Sequence, residues 1–302
     1  MKVGKVDKLG IIIKRESPEP LRIGREMAEW FSARGIMVSL DRIEEDQDLL
    51  IVLGGDGTLL HVAAEACRHE IPVLGINLGG LGFLTGVAAD DRQAIMAKIV
   101  ADELPVEERM MLQVRLWPNK LVAGLVNEES GNKPWVNALN EVVINKGTID
   151  RMTEMAAWVN GEYLTTYRAD GLVIATSTGS TAYNLSAGGP VVHPRLNAIV
   201  VTPICPFMLT SRPVLLDADS RVVVRISPAS SGEIMTDQLK VIVDGRHYAA
   251  LREGDVLEVM VSAKKLRLIP SPWKGYFEIL RSKLNWGGGH QQQPPPTLSI
   301  SC

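Results

Sequence analysis

An aspartate stands among glycines at the end of an almost wholly apolar run, Ile51-Val52-Leu53-Gly54-Gly55-Asp56-Gly57-Thr58-Leu59-Leu60. Read as strand, glycine turn and helix, this is a place where a phosphate comes close to backbone N–H groups, because no Cβ keeps it away. The N-terminus of the following helix adds partial positive charge that favours an anion. Asp56 is the anomaly, since a carboxylate repels phosphate and must have a task of its own. Three tasks fit: holding a divalent cation, taking a proton as general base, or only capping the helix. No GxxxxGK[ST] loop occurs anywhere, and no GxGxxG follows the first strand, so any phosphate chemistry has to use this turn.

Three further stretches carry chemistry. Asn77-Leu78-Gly79-Gly80-Leu81-Gly82-Phe83-Leu84 again runs a strand into glycines, either as a structural turn or as a second wall of one crevice at the carboxyl edge of a sheet. Asn140-Glu141 opens the apolar run Val142-Val143-Ile144. Neighbours on a strand point to opposite faces, so both touch one ligand only at a strand end or bulge; otherwise they are a surface polar pair. From Tyr167 to Pro190 an apolar strand leads into Thr176-Ser177-Thr178-Gly179-Ser180-Thr181-Ala182-Tyr183-Asn184-Leu185-Ser186, an uncharged, glycine-bracketed surface of hydroxyls. Such a surface hydrogen-bonds a sugar or phosphate without fixed charge, and Tyr183 can stack on a ring. Asp244-Gly245-Arg246 reads on its own as a hairpin turn.

The elements that position these residues change character along the chain. Strands at Leu9–Lys14, Ile36–Leu40, Leu49–Leu53 and Pro72–Ile76 alternate with helices at Leu21–Arg34, Thr58–Arg68 and Asp90–Ala101, the last with Asp90 or Asp91 as cap. This predicts a doubly wound, mostly parallel α/β sheet over residues 1–103. Over 104–270 short alternating strands take over: Met111–Leu116, Leu121–Val126, Asn140–Asn145, Met155–Val159, Val222–Ile226, Leu239–Val243 and Val256–Val261. A largely β C-terminal domain follows. A helix at Tyr276–Leu284 lies in a segment, 271–286, expected to pack back on the N-terminal domain, and the Gln/Pro-rich tail 287–302 is expected to be disordered.

The chain has 302 residues, 46% of them hydrophobic and 22% charged, with a net charge of −3. That is enough for about two ordinary domains and carries no basic field for nucleic acid. Cys67, Cys205 and Cys302 are too far apart for a metal site or a disulfide framework, which points to a reducing, cytoplasmic setting. The N-terminal apolar run Leu9–Ile13 is too short for a signal-peptide core, and no run is long and apolar enough to span a membrane. No Ser–His–Asp triad is legible among the five histidines.

Taken together, GGDGTLL at 54–60, NLGGLGFLT at 77–85, NEVVI at 140–144 and DGLVIATSTGSTAYNLSAGGPVVHP at 170–194 resemble the NAD kinase family. The likeness runs from about residue 9 to about residue 285. GGDGT alone also occurs in diacylglycerol-type lipid kinases and phosphofructokinases; the GSTAYNLSAGGP segment singles out NAD kinase. The resemblance implies transfer of the γ-phosphoryl of ATP, or of polyphosphate, to the 2′-hydroxyl of the adenosine ribose of NAD. It makes Asp56 the base and Gly54, Gly55 and Gly57 the phosphate turn. Asn140 and Glu141 then contact the NAD, and Asp170 orients its nicotinamide end. His61, Arg151 and Arg168 fall at ligand-contact positions. Thr181, Ala182, Tyr183, Asn184, Leu185 and Ser186 line the adenosine side, and Asp244 and Arg246 are further carry-overs. Mg²⁺ is expected to be held mainly by the donor phosphates, with no dedicated protein ligands. The family is usually a homodimer or homotetramer with sites shared between subunits. Two other readings remain open here. A lipid or sugar kinase would phosphorylate diacylglycerol or a sugar in place of NAD, although no basic amphipathic helix favours a membrane substrate. A non-catalytic sensor would bind NADP and transfer nothing.

Overall fold

The computed structural model describes residues 2–14, 18–119, 134–146, 153–227 and 239–286. The chain divides into two compact units. The first comprises Met1–Leu59, Val73–Val106 and the chain from Ile269 onward; the second comprises Leu60–Pro72 and Glu107–Leu268.

In the first unit β1 (Lys8–Ile13), α1 (Pro18–Ser32), β2 (Met37–Leu40), β3 (Leu49–Leu53), the start of α2 (Asp56–His69), β4 (Val73–Asn77), β5 (Val87–Ala88) and α3 (Arg92–Val100) follow one another. Its strands lie in the order β2-β1-β3-β4, with β5 on β4, and every one of these pairs is parallel. β3 and β4 are buried at every position, as strands covered on both faces must be. Ile23, Met27 and Phe31 of α1 and Ile95, Met96 and Ile99 of α3 join Leu9, Ile11, Leu49, Ile51 and Leu53 in one buried cluster. Asp91 precedes α3, but its side chain makes no capping bond, so the cap expected from composition is absent.

The second unit is antiparallel. It holds β6 (Glu107–Arg109), β7 (Leu112–Trp117), β8 (Val136–Ala138), β9 (Glu141–Lys146), β10 (Thr153–Val159), β11 (Glu162–Ala169), β12 (Gly171–Thr176), the short α4 (Tyr183–Ser186), β13 (Ala198–Ile204), β14 (Val214–Asp217), β15 (Val222–Ile226), β16 (Leu239–Val243), β17 (Arg246–Leu251), β18 (Val256–Val261) and all but the last residue of β19 (Leu266–Ile269). One six-stranded sheet runs β11-β10-β15-β18-β7-β8 and another runs β14-β13-β12-β9-β16-β17. Both sheets contribute to one buried cluster, including Val114, Met155, Val224 and Leu257 from the first and Ile144, Leu172, Ile174 and Val241 from the second. The outer face of the second sheet is covered in turn, with Val192 packed on Val143, Val173 and Val200. The last element among the described residues is α5 (Tyr276–Leu284).

The parallel first half and the antiparallel second half agree with the sequence patterning. The strands β5, β6, β8, β11, β13, β14, β17 and β19 are additions of the structure, without a clear signal in the sequence. The strand expected over Leu121–Val126, the residue Arg151 and the tail 287–302 lie outside the described residues.

Candidate active site

The glycine turn after β3 is narrower than its sequence suggests. None of Gly54, Gly55 or Gly57 has a positive φ. Glycine is required at position 54 by proximity, because a Cβ there would lie 2.5 Å from Thr58 Oγ1, while Gly55 and Gly57 face open space. The Gly54 N–H donates to the Ile76 carbonyl at 3.0 Å, which ties this turn to the end of β4. Beyond β4, the Gly79 N–H donates to Asn77 Oδ1 at 2.8 Å, and Asn77 Nδ2 donates to Thr85 Oγ1 at 2.8 Å.

Asp56 joins the two turns. It is the first residue of α2, and its carboxylate turns away from its own helix. Oδ2 accepts the Phe83 N–H at 2.8 Å. Oδ1 accepts the Leu84 N–H at 3.1 Å, the Thr85 N–H at 3.0 Å and the Thr85 hydroxyl at 2.8 Å. The helix-cap role weighed from sequence is therefore set aside. Gly82 is small because a Cβ there would lie 2.1 Å from Asp56 Oδ1. A cleft of about 470 Å³ opens over this arrangement, lined by both glycine turns, Asp56, Lys14, Glu19 and Lys283. The volume is that of a small-molecule site. The two lysines had no signal in the sequence, since neither adjoins a motif.

In the second unit the Asn140-Glu141 pair sits at a strand end, the condition under which both side chains can serve one ligand. Asn140 precedes β9 and Glu141 is its first residue. Asp244 accepts the N–H groups of Leu139 at 2.7 Å, Asn140 at 2.8 Å and Glu141 at 3.1 Å. It does so from a tight hairpin whose two central residues, Asp244 and Gly245, have φ of 45° and 77°. So Asp244 is both the hairpin residue that the sequence suggests and the clamp on the pair. The far side is fixed by Thr176, whose N–H donates to the Asn140 carbonyl at 2.8 Å and whose hydroxyl donates to the Leu139 carbonyl at 2.6 Å.

Glu141 is buried, and its Oε2 has no hydrogen-bond partner. Burial, then the charge of Asp244, push its carboxyl up to about 8, against a bond from the Tyr183 backbone N–H. Burial also raises the Asp244 carboxyl, opposed by its three backbone donors and by Arg246. Arg246 Nη2 donates to the His61 carbonyl at 2.9 Å, and the His61 side chain is exposed.

The hydroxyl-rich segment separates into buried and open residues. Asn184 is fully buried, with Nδ2 donating to the Ser180 carbonyl at 3.0 Å and Oδ1 accepting the Thr202 hydroxyl at 2.7 Å. Thr181, Ala182 and Leu185 are half-buried, while Tyr183 and Ser186 are exposed. Asp170 pairs with Lys146 at 2.5 Å, a partner that sequence reading missed although β9 ends there. Arg168 reaches Glu154 at 3.4 Å and lies over the Phe207 ring at 5.2 Å. Asp170 adjoins the end of β12 opposite Glu141, because Gly171 pairs with Asn145 and Ala175 with Glu141. Five strand steps separate them, roughly 17 Å. Among the described residues no group of three His, Cys, Asp or Glu could hold a metal ion, and no helix is long and apolar enough to cross a membrane.

The ATP-NAD kinase N-terminal domain family matches residues 38–104, and the ATP-NAD kinase C-terminal domain family matches residues 139–271. The NAD kinase of Syntrophotalea carbinolica is 40% identical over 297 residues, covering 93% of this chain and 99% of that protein. The NAD kinase of Syntrophobacter fumaroxidans is 40% identical over 294 residues, covering 92% and 98%. Among solved structures, the yeast NADH kinase complexed with NADH superposes with a TM-score of 0.82 at 23% identity, covering 97% of this chain and 93% of that one. An Archaeoglobus fulgidus NAD kinase in complex with ATP gives 0.71 at 24% identity, covering 92% and 98%. At these identities the two structures establish a shared fold.

Proposed function

The chain belongs to the NAD kinase family, and from that premise we propose how it makes NADP: ATP, or a polyphosphate, gives its terminal phosphoryl to the 2′-hydroxyl of the adenosine ribose of NAD, and Asp56 takes the hydroxyl proton. The activity itself is that of an NAD kinase. The observation that carries the assignment of the base is the unequal load on the Asp56 carboxylate. Oδ1 accepts three donors and Oδ2 accepts one. A carboxylate oxygen has about two acceptor sites, so Oδ2 keeps one open. The ribose oxygen attacks the terminal phosphorus, the bond to the bridging oxygen breaks, and the shortened donor leaves with the electron pair. The proton passes to Oδ2. General-base help of this kind is typically worth about 10²–10⁴-fold.

The donor phosphates lie on the turn of Gly54, Gly55 and Gly57, supported by the open space at Gly55 and Gly57 and by the start of α2. A divalent cation fits as a group carried by those phosphates, because Asp56 has only one acceptor site to spare and no cluster of three ligating side chains occurs among the described residues. Bound there, it neutralises charge on the transferring group.

Asn140 and Glu141 hold the dinucleotide, and Tyr183 stacks on its adenine. Support comes from the backbone of Tyr183, which acts on the Glu141 carboxyl, and from the exposure of the Tyr183 ring. Thr181, Ala182, Leu185 and Ser186 line the same side, Asp244 and Asn184 shape it from behind, and Arg246 and His61 border it. Arg168 and Asp170 serve the nicotinamide end. Their distance from Glu141 supports a site completed by a second copy, in a homodimer or homotetramer. The scattered cysteines support a cytoplasmic setting.

Purified protein is to be incubated with NAD and MgATP, then with inorganic polyphosphate, and NADP read with an NADP-specific dehydrogenase. NADP is expected, lost with EDTA and restored by excess Mg²⁺. Tight NADP binding without turnover by any donor would leave a sensor in place of a kinase.

A further inference from the structure

The charge of the first unit's cleft is set by residues that no motif contains. Its floor is glycine: Gly54 and Gly55 from one turn and Gly79, Gly80 and Gly82 from the other. Backbone N–H groups and a helix N-terminus offer partial charges only, about half an elementary charge for a whole helix end. A nucleoside triphosphate brings several negative charges, and Asp56 adds another. Among the described residues, the positive side chains lining the cleft are Lys14 and Lys283, and Glu19 is the other acidic one.

Both lysines are placed by the fold. Lys14 follows β1, and its backbone N–H donates to the Leu53 carbonyl at 3.0 Å. That bond sets it beside the end of the strand that feeds the Asp56 turn. Lys283 stands in the last turn of α5, four residues after the buried Ile279, so the two share a helix face. Ile279 packs into the first unit, where its Cδ1 lies within 3.7 Å of the position of a Cβ on Gly86. Two positions at opposite ends of the sequence thus reach one cleft. A lysine in the last turn of a helix also complements the helix dipole, the ordinary reason for its presence there. That reason does not account for its reach into the cleft, nor for Lys14, which lies on no helix.

We propose that Lys14 and Lys283 are binding residues for the phosphate chain of the phosphoryl donor, acting on the donor and not on the dinucleotide. The inference rests on the kinase reading of this site and adds two residues to it. An ammonium is a compact point charge, suited to phosphate oxygens whatever group lies beyond them. The pair therefore recognises a triphosphate with or without its nucleoside, and inorganic tripolyphosphate is its minimal ligand.

The test uses the full chain with Lys283→Ala, Lys14→Ala, the double variant and Lys283→Arg. Each alanine variant is expected to raise KM for MgATP about ten- to a hundredfold, the range for loss of a charge-assisted hydrogen bond. KM for NAD is expected to stay within about twofold, and Lys283→Arg to recover most of the loss, because it keeps the charge. Tripolyphosphate is expected to compete with ATP in the wild type and to lose potency in parallel with ATP across the variants. An unchanged KM for ATP in the folded double variant overturns the inference, as does an equal rise in KM for NAD. If Lys14→Ala does not fold, Lys283→Ala carries the test alone. If the wild type makes no NADP, the kinase reading fails separately. Calorimetry with tripolyphosphate then still decides the lysines: binding by the wild type and not by the double variant supports them, and equal binding by both overturns them.

Discussion

The Asp56 carboxylate is over-determined, with four donors from three consecutive residues of the second glycine turn. Asp56→Asn keeps shape and most of these bonds but removes the proton acceptor. It is expected to lower kcat by about 10²–10⁴ while NAD still binds, as read by steady-state rates beside equilibrium binding. Turnover near that of the wild type would take the base role from Asp56. Glu141 makes a prediction of the opposite electrical sense. Its carboxyl moves from an ordinary 4.5 to about 8 in the folded chain, chiefly through burial. Between those values the folded protein keeps a proton that the unfolded chain has released. Stability therefore falls as pH rises from about 4.5 to about 8, and the loss is complete above that. Glu141→Gln carries no charge to bury. Its melting temperature is expected to match the wild type near pH 5 and to exceed it increasingly towards pH 9. Parallel melting curves at all pH values would show that Glu141 titrates normally.

At the level of elements, turns hold the catalytic candidates and strands hold the turns. Gly179 shows how little room there is: a Cβ would lie 2.1 Å from the Asn140 carbonyl oxygen, a backbone atom that cannot swing away. Gly179→Ala is expected to cost about 1–3 kcal/mol and to raise KM for NAD by displacing the Asn140-Glu141 pair. Gly4→Ala, with nothing within 4 Å of its Cβ, is the control and should change neither melting temperature nor KM. Elements with a strong local signal were legible in the sequence. Leu49–Leu53 is apolar throughout because it is covered on both faces, and the expected bounds match the strand. β13 was not legible, although all seven of its residues are buried. It contains Pro203, and a proline argues against a central strand by removing a ladder donor. β11 and β17 were hidden for another reason. They are half-exposed partners in tight hairpins, and pairing with β10 and β16 makes them strands more than their own composition does.

Over the whole molecule, the switch from a parallel to an antiparallel half was readable, because it is written in local periodicity and in the lengths between glycine and proline signals. The candidate chemistry was readable for a similar reason: glycines, a carboxylate and hydroxyls fall in short contiguous runs whose residues must lie close together however the chain folds. The sequence by itself thus determined the two fold classes, the glycine turn around Asp56 and the family. Only the tertiary structure decided what each run meets. Asp56 is loaded by residues 83–85, Asp244 reaches back to residues 139–141, Asn184 is spent on Thr202, and Lys14 and Lys283 arrive at one cleft. Those pairings depend on sheet order and on which strand ends lie side by side. Burial and long-range hydrogen bonding set that order, and they leave no periodic trace in the chain.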